Sequence, residues 1–362
     1  MGAKRTIKES ISDFSGQISV KSMKSNNSYN SSVLDQSGLK LDEIRKLSSV
    51  ASVQSYATVS GIMRNEENFD GIVYKGVGKD FDSLRFKKFL VEGEIPKYDE
   101  EGFNNHIIVS EKIARHLSLH PKDSIVTIFS ADAQNPIYRK FIVSGIYKTD
   151  IKLIDDLVVI GDINHVRRIL GMGNKEVGGL EIFLKNINKI DKDFPPIEAL
   201  IGYKNYAEKA NEKYPQIDDW IQIFDVNIGL IITIMLVVVI INIIMVLLIL
   251  IIERTNSIGY LKTMGATNFQ IRSLFINYTL LIMIPGLIVG NVVGLGLLLI
   301  QKYFKIIRLD PANYFISDVP VDFNIIFIVG ISLGFLLVSG LAMILPSYLI
   351  SRISPVKSIR YD

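Results

Sequence analysis

The chain has 362 residues, of which 48% are hydrophobic and 21% charged, with 40 basic residues against 37 acidic ones and no cysteine. A formal net charge of +3 is too balanced for a nucleic-acid binder. The absence of cysteine excludes a disulfide framework, a thiolate zinc site and a catalytic thiol.

Residues 1–225 read as an α+β domain in which short β-like runs alternate with helical patterns. Strands are expected at Gln17–Lys21, Val53–Met63, Gly71–Val77, Ile125–Phe129, Lys140–Tyr147, Leu157–Ile160 and Leu180–Leu184. Helices are expected at Leu41–Leu47, after the N-cap residue Ser110, at Ile163–Leu170 and at Tyr206–Tyr214. His106, His116, His120 and His165 lack metal-ligand spacing such as H-E-x-x-H. Gly71, Gly76 and Gly78 do not make a phosphate loop, and Gly171, Gly173 and Gly178 miss the dinucleotide spacing, so both sets read as turn glycines. Asp155–Asp156 and Asp218–Asp219 read as solvated loop charges. An ATP-driven function therefore requires another subunit.

Residues 226–362 read as a membrane domain. No charge falls between Asp225 and Glu253, between Arg272 and Lys302, or between Asp322 and Arg352. Each interval exceeds the roughly 20 apolar residues that cross a hydrocarbon core as a helix. Spans are expected at 227–252, 277–300 and 323–350. Their interiors hold neutral polar residues, Thr233, Asn242, Asn291, Ser332 and Ser339, which read as bonding to neighbouring helices or to their own backbone. The lack of an intramembrane acid or base disfavours an ion-coupled transporter. Gly286, Gly290 and Gly294 form a four-residue repeat suited to close helix packing, and Pro285 and Pro346 suit kinks.

Basic residues are evenly divided: Arg254, Lys262 and Arg272 in the first loop, Lys302, Lys305 and Arg308 in the second, Arg352, Lys357 and Arg360 in the tail. Alternation places residues 1–225 and the second loop on one side. The charges alone do not decide which side that is; if residues 1–225 are extracytoplasmic, the opening MGAKRTIKES has no apolar segment to carry the start across, and a preceding N-terminal span is expected.

The first loop, Glu253 to Phe275, encodes two helices rather than a plain turn. Arg254, Ile258, Leu261 and Lys262 recur at helical spacing, Gly265 suits a left-handed C-cap, and Thr267 to Gln270 matches a capping box that restarts a helix. By physics alone, a helical hairpin corner and a lever that transmits a push to the attached span are equal readings.

The pattern E-R-x-x-x-I-G-x-L-K-x-x-G-A-x-x-x-x-I occupies Glu253, Arg254, Ile258, Gly259, Leu261, Lys262, Gly265, Ala266 and Ile271. It resembles the coupling segment of ABC permeases of the FtsX/MacB superfamily. Leu309 to Val321, LDPANYFISDVPV, is similar to a loop of the LolC/LolE lipoprotein-releasing permeases. The tail from Pro346 through Pro355 to Tyr361 and the placement of Trp220 also fit.

The resemblance implies a multi-pass protein of the bacterial inner membrane, with its large MacB-like domain in the periplasm. Residues 253–265 would be a coupling helix docking on a cytoplasmic ABC ATPase. The chain would bind no cofactor, ATP and Mg being used by that partner, and would itself be no enzyme. A second copy or a paralogous permease, a lipoprotein substrate and a periplasmic lipoprotein chaperone are the other implied partners. Chaperone docking in that family uses an extended hairpin. Here the corresponding stretch, 130–141, is short: Pro136, Arg139 and Lys140 stand where its remnant would be, and an ordinary hairpin turn is the equal alternative. The function so implied is release of lipoproteins from the inner membrane, with MacB-like export of a peptide or drug, or FtsX-like control of a cell-wall hydrolase, as rivals.

Overall fold

The computed structural model describes residues 2–26, 28–99, 102–129, 136–213, 215–307, 309, 319, 321, 323–344 and 348. The chain divides into two compact units, the first comprising Met1–Asp218 and Arg308–Val319, the second Asp219–Ile307 and Pro320–Asp362.

The first unit is a mixed α/β domain. Its strands, in chain order, are β1 (Ile18–Ser22), β2 (Leu34–Asp35), β3 (Val50–Arg64), β4 (Phe69–Val77), β5 (Leu90–Gly93), β6 (His106–Ser110), β7 (Ser124–Phe129), β8 (Ile137–Tyr147), β9 (Val158–Asp162), β10 (Glu176–Val177), β11 (Gly179–Leu184) and β12 (Asn205–Lys209). The long β3 organises the sheet. Its first half pairs with β11, its second half pairs with β4 on one edge and with β7 on the other, all antiparallel. β4 then runs parallel to β9, β9 meets β6, β6 runs parallel to β8, and β8 returns antiparallel to β7. The pairings β3–β4–β9–β6–β8–β7 therefore close into a ring, which leaves no open edge on those strands. From β3 the sheet also extends outward through β11 and β1 to β12.

Alternation decides which side chains fill the ring. Met63, Tyr74, Phe129 and Phe141 are fully buried. Tyr74 stacks on Phe141 with centroids 5.3 Å apart and meets Phe129 edge-on at 5.6 Å. Helix Ile163–Leu170 packs beside these rings, with its N-terminus held by the buried Asp162 carboxylate, which accepts from the Asn164 and Asn104 backbone N–H groups at 2.9 and 2.8 Å. Its close approach requires glycine at position 76, where a Cβ would lie 2.6 Å from the Ile163 Cα.

Most expected strands are found within a few residues of their bounds, as are helices Leu41–Lys46, Glu111–His116 and Ile163–Leu170. The helix expected at Tyr206–Tyr214 is corrected: Asn205–Lys209 is a strand, paired along its whole length with β1, and only Ala210–Lys213 is helical. Helix Gly2–Ser15 was not anticipated; it buries Ile11 and Phe14.

Among the described residues, three helices of the second unit are long and apolar enough to cross a membrane: Val226–Glu253 within the longer helix Pro215–Glu253, Asn268–Phe304, and Ile325–Ala342. The loop at 310–318 and the tail at 349–362, with Pro346, lie outside the described residues, as does most of 345–350.

Candidate functional site

The first two spans meet through a short helix, Thr255–Thr263. The chain bends at Arg254, and the carbonyls freed there are met locally. The Thr255 hydroxyl lies 3.0 Å from the Ile251 carbonyl and 2.7 Å from that of Ile252, positioned to donate to them, while the Arg254 N–H donates to Leu250 at 3.1 Å. Thr255, to which the sequence reading assigned no role, thus closes the end of the first span.

The other end of the short helix stops at a cap. Gly265 has φ +95°, a backbone region that favours glycine. The Ala266 N–H donates to the Leu261 carbonyl at 3.0 Å and the Gly265 N–H to Lys262 at 3.1 Å, which satisfies two terminal carbonyls. Helix Asn268–Phe304 starts at once: the Thr267 N–H donates to the Gln270 side-chain oxygen at 2.9 Å and the Gln270 N–H to the Thr267 hydroxyl at 3.3 Å. Each backbone N–H from Met264 to Thr267 is bonded locally.

Ile258 anchors the short helix. It is fully buried in a cluster with Leu247 and Ile251 of the first span, Ile271 and Phe275 of the second and Met343 after the third. Leu261 and Ala266 pack on the rim of this cluster, and Gly259 is buried beside Ile258. The cluster that covers Ile258 therefore draws side chains from all three apolar helices or their ends.

The residues singled out from the sequence divide into two roles. Ile258, Gly259, Leu261, Gly265 and Ala266 face the spans or shape the turn. Glu253 and Arg254 are exposed, and Lys262 is half-buried. Burial first, and the nearby Arg272 second, lower the Lys262 pKa. The Arg272 guanidinium lies 4.1 Å from the centroid of the Tyr348 ring, and its Nε is buried without a hydrogen bond to any described residue.

The sequence reading missed the outward face. Tyr260 and Met264 lie one turn apart on the side away from Ile258, and Met264 and the neighbouring Phe269 are more than three-quarters exposed, at 76% and 79%. Large apolar side chains beside polar Asn256 and Arg254 suit a protein contact. The signal was present in the sequence as a second apolar stripe at i, i+4, distinct from Ile258 and Leu261.

The other singled-out residues do not join this site. Gly286, Gly290 and Gly294 are exposed, with no atom within 4 Å of where a Cβ would stand. Pro136 precedes β8 and is exposed; Lys140 shares the outer face of β8 with Tyr138 and Ile142, whereas Arg139 lies on the face of buried Phe141. Residues 130–135 of that hairpin lie outside the described residues. The histidines are dispersed: His106 bonds Ser144 at 2.7 Å, His116 lies 2.8 Å from Asp70, and His165 bonds the Asn104 carbonyl at 3.2 Å.

Residues 229–355 match the family described as FtsX-like permease C-terminal. The lipoprotein-releasing system transmembrane protein LolC of Haemophilus influenzae is 23% identical over 296 residues, covering 78% of this chain and 69% of the relative. The protein of the same name from Xylella fastidiosa is 21% identical over 347 residues, covering 90% and 80%. Among solved structures, the extracellular domain of the ABC-type transporter YknZ from Gram-positive bacteria aligns with a TM-score of 0.38 at 14% identity, over 53% of this chain and 99% of that one. The periplasmic region of MacB from Actinobacillus actinomycetemcomitans aligns with a TM-score of 0.39 at 15% identity, over 59% and 97%. Residues 229–355 match the FtsX-like permease C-terminal family, and most of the chain is similar to the LolC transmembrane proteins of lipoprotein-releasing systems.

Proposed function

We propose that this chain is the membrane subunit of an ABC transporter-type machine that releases lipoproteins from the inner membrane toward the periplasm, driven by ATP hydrolysis in a separate subunit. The observation that carries the reading is the junction at 253–275: a stiffly capped helix, keyed into the three spans by Ile258 and presenting Tyr260 and Met264 outward. Similarity to LolC proteins supports the choice of cargo.

The energetics require such a device. A lipid anchor gains about 0.8 kcal/mol per buried CH₂, so one chain of ~15 methylenes resists extraction by on the order of 12 kcal/mol, and a lipoprotein carries more than one chain. Spontaneous release is negligible at that cost. Extraction needs an energy source and a sheltered apolar path, and the uncharged spans supply part of that path. A nucleotide-driven movement of the docked ATPase pushes the short helix, and Ile258 passes the push to the spans. Mg and ATP are held by the ATPase, and a second permease subunit completes the path.

Depletion of this protein in its native cell, followed by membrane fractionation, tests the reading. Newly made lipoproteins are expected to accumulate in the inner membrane within the depletion time. Normal departure of lipoproteins with the protein gone sinks it.

A further inference from the structure

In the α/β domain a short strap, residues 102–106, is tied to helix Ile163–Leu170 and its cap. The Asp162 carboxylate accepts from the Asn104 N–H at 2.8 Å, and the Asn164 amide donates to the Gly102 carbonyl at 3.0 Å. His165 Nε2 lies 3.2 Å from the Asn104 carbonyl. The strap also braces itself, the His106 N–H donating to the Asn104 side-chain oxygen at 2.9 Å. Half-exposed Phe103 lies against the His165 ring, with centroids 5.3 Å apart. The same ring meets fully buried Phe141 and Tyr74 edge-on, at 5.0 and 6.4 Å.

This contact fixes the proton count of His165. The residue is 3% exposed, and the carbonyl at its Nε2 only accepts, so Nε2 carries the ring proton. Nδ1 is buried and has no hydrogen bond to any described residue. A second proton would set a donor at Nδ1 with no described acceptor, and would bury a charge. The charged neighbours do not reverse this. Asp162 at the end of β9 favours the added proton, while Arg139 on β8 and Arg168 on the helix oppose it. Tyr74 on β4 and Tyr98 are kept protonated by burial and add no charge. Burial is the largest influence on His165 and lowers its pKa.

We propose that the strap is an acid-released latch: it holds while His165 is neutral, and protonation at Nδ1 frees residues 102–106 and uncovers the imidazole packed on Phe141 and Tyr74. In the open strap the imidazole meets water and takes up a proton at the ordinary pKa of about 6.5. The closed strap binds that proton less well. The latch therefore has its full strength above about pH 6.5 and weakens as the pH falls below that value. An open-state pKa of about 6.5 makes opening up to ~30-fold more frequent at about pH 5 than at about pH 7.5. The latch belongs to the α/β domain by itself and does not rest on the proposed cargo or ATPase.

Hydrogen–deuterium exchange of the full-length protein in mild detergent, corrected for intrinsic rates, reads the latch at about pH 5 and about pH 7.5. Amides of residues 102–106 are expected to lose roughly ten- to thirty-fold of their protection at the lower pH, with β11 unchanged. His165→Gln keeps an amide donor for the Asn104 carbonyl and takes up no proton, so its strap is expected to stay protected at both values. In the wild-type chain, exchange at the C2 hydrogen of the His165 ring follows its titration without any substitution, and a midpoint below about 6.5 is expected. Equal strap protection at the two pH values, the same acid loss in His165→Gln, parallel loss in β11, or a His165 midpoint at or above about 6.5 overturns the proposal.

Discussion

Single buried charges set the strongest local constraints in the α/β domain. Lys75 on β4 reaches across β3 to Glu181 on β11, its ammonium 2.7 and 2.8 Å from the two carboxylate oxygens. Gln54 on β3 donates to the same carboxylate at 2.8 Å, and the Lys75 ammonium lies 5.0 Å from the Phe14 ring centroid. Both ions are almost wholly buried, so removing one leaves the other uncompensated. Lys75→Met is expected to weaken the domain by roughly 3–5 kcal/mol, and Lys75→Met with Glu181→Leu to recover most of that loss. Native-state hydrogen exchange of β4 and β11 in the full-length protein reads the difference; equal loss in the single and double variants contradicts the pairing.

Asp155, expected to be a solvated loop charge, instead ends helix Lys152–Asp155 half-buried, and gives a pH dependence of opposite sense to a surface carboxylate. It accepts from the Thr149 N–H at 3.0 Å, the Thr149 hydroxyl at 2.7 Å and the Asp150 N–H at 2.9 Å, yet burial outweighs these bonds and raises its pKa to about 6. The folded state therefore holds a proton that the unfolded chain releases at lower pH. The resulting stability is full below about pH 4 and is lost as pH rises through about 6. Compared with wild type, Asp155→Asn is expected to flatten the pH dependence of thermal unfolding between pH 4 and 6. A parallel shift of both curves would show that Asp155 titrates normally.

At the scale of elements, the proposed function assigns docking and transmission to opposite faces of the junction between the spans. Ile258→Ala empties the centre of the three-span cluster while leaving the outward face intact. It is expected to retain ATPase binding and lose most lipoprotein release. Tyr260→Glu leaves the cluster and charges the outward face, and is expected to lose ATPase binding itself. Measuring bound ATPase and release on both variants checks this; identical behaviour of the two contradicts the division. The cap at Gly265 and the box at Thr267 and Gln270 were legible in the sequence because a cap is local chemistry, complete within a few residues. The outward role of Tyr260 and Met264 was not, since both sides of the helix are apolar and three distant spans decide which one is covered. The same limit explains β12: Tyr206–Lys209 has a helical pattern locally, and its pairing with β1, far away in sequence, decides otherwise.

For the molecule as a whole, length and the absence of charge made the three spans readable, since a hydrocarbon core imposes both. The ring of strands was not readable, because its closure joins residues 61–64 to 126–129 and sets two parallel pairs, β4–β9 and β6–β8, among antiparallel ones. Nothing within a single strand specifies such partners. The lever reading sits between these limits: its local geometry is set by residues 253–275, and its meaning depends on what binds them.

Purification of the full-length protein from native membranes in mild detergent, with mass spectrometry of everything retained, tests that dependence most directly. An ABC ATPase together with acylated lipoproteins is the expected set, with the ATPase lost from the Tyr260→Glu variant. Retention of a cell-wall hydrolase or an outer-membrane channel in place of lipoproteins contradicts the cargo, and a preparation without any ATPase contradicts the coupling role of the short helix.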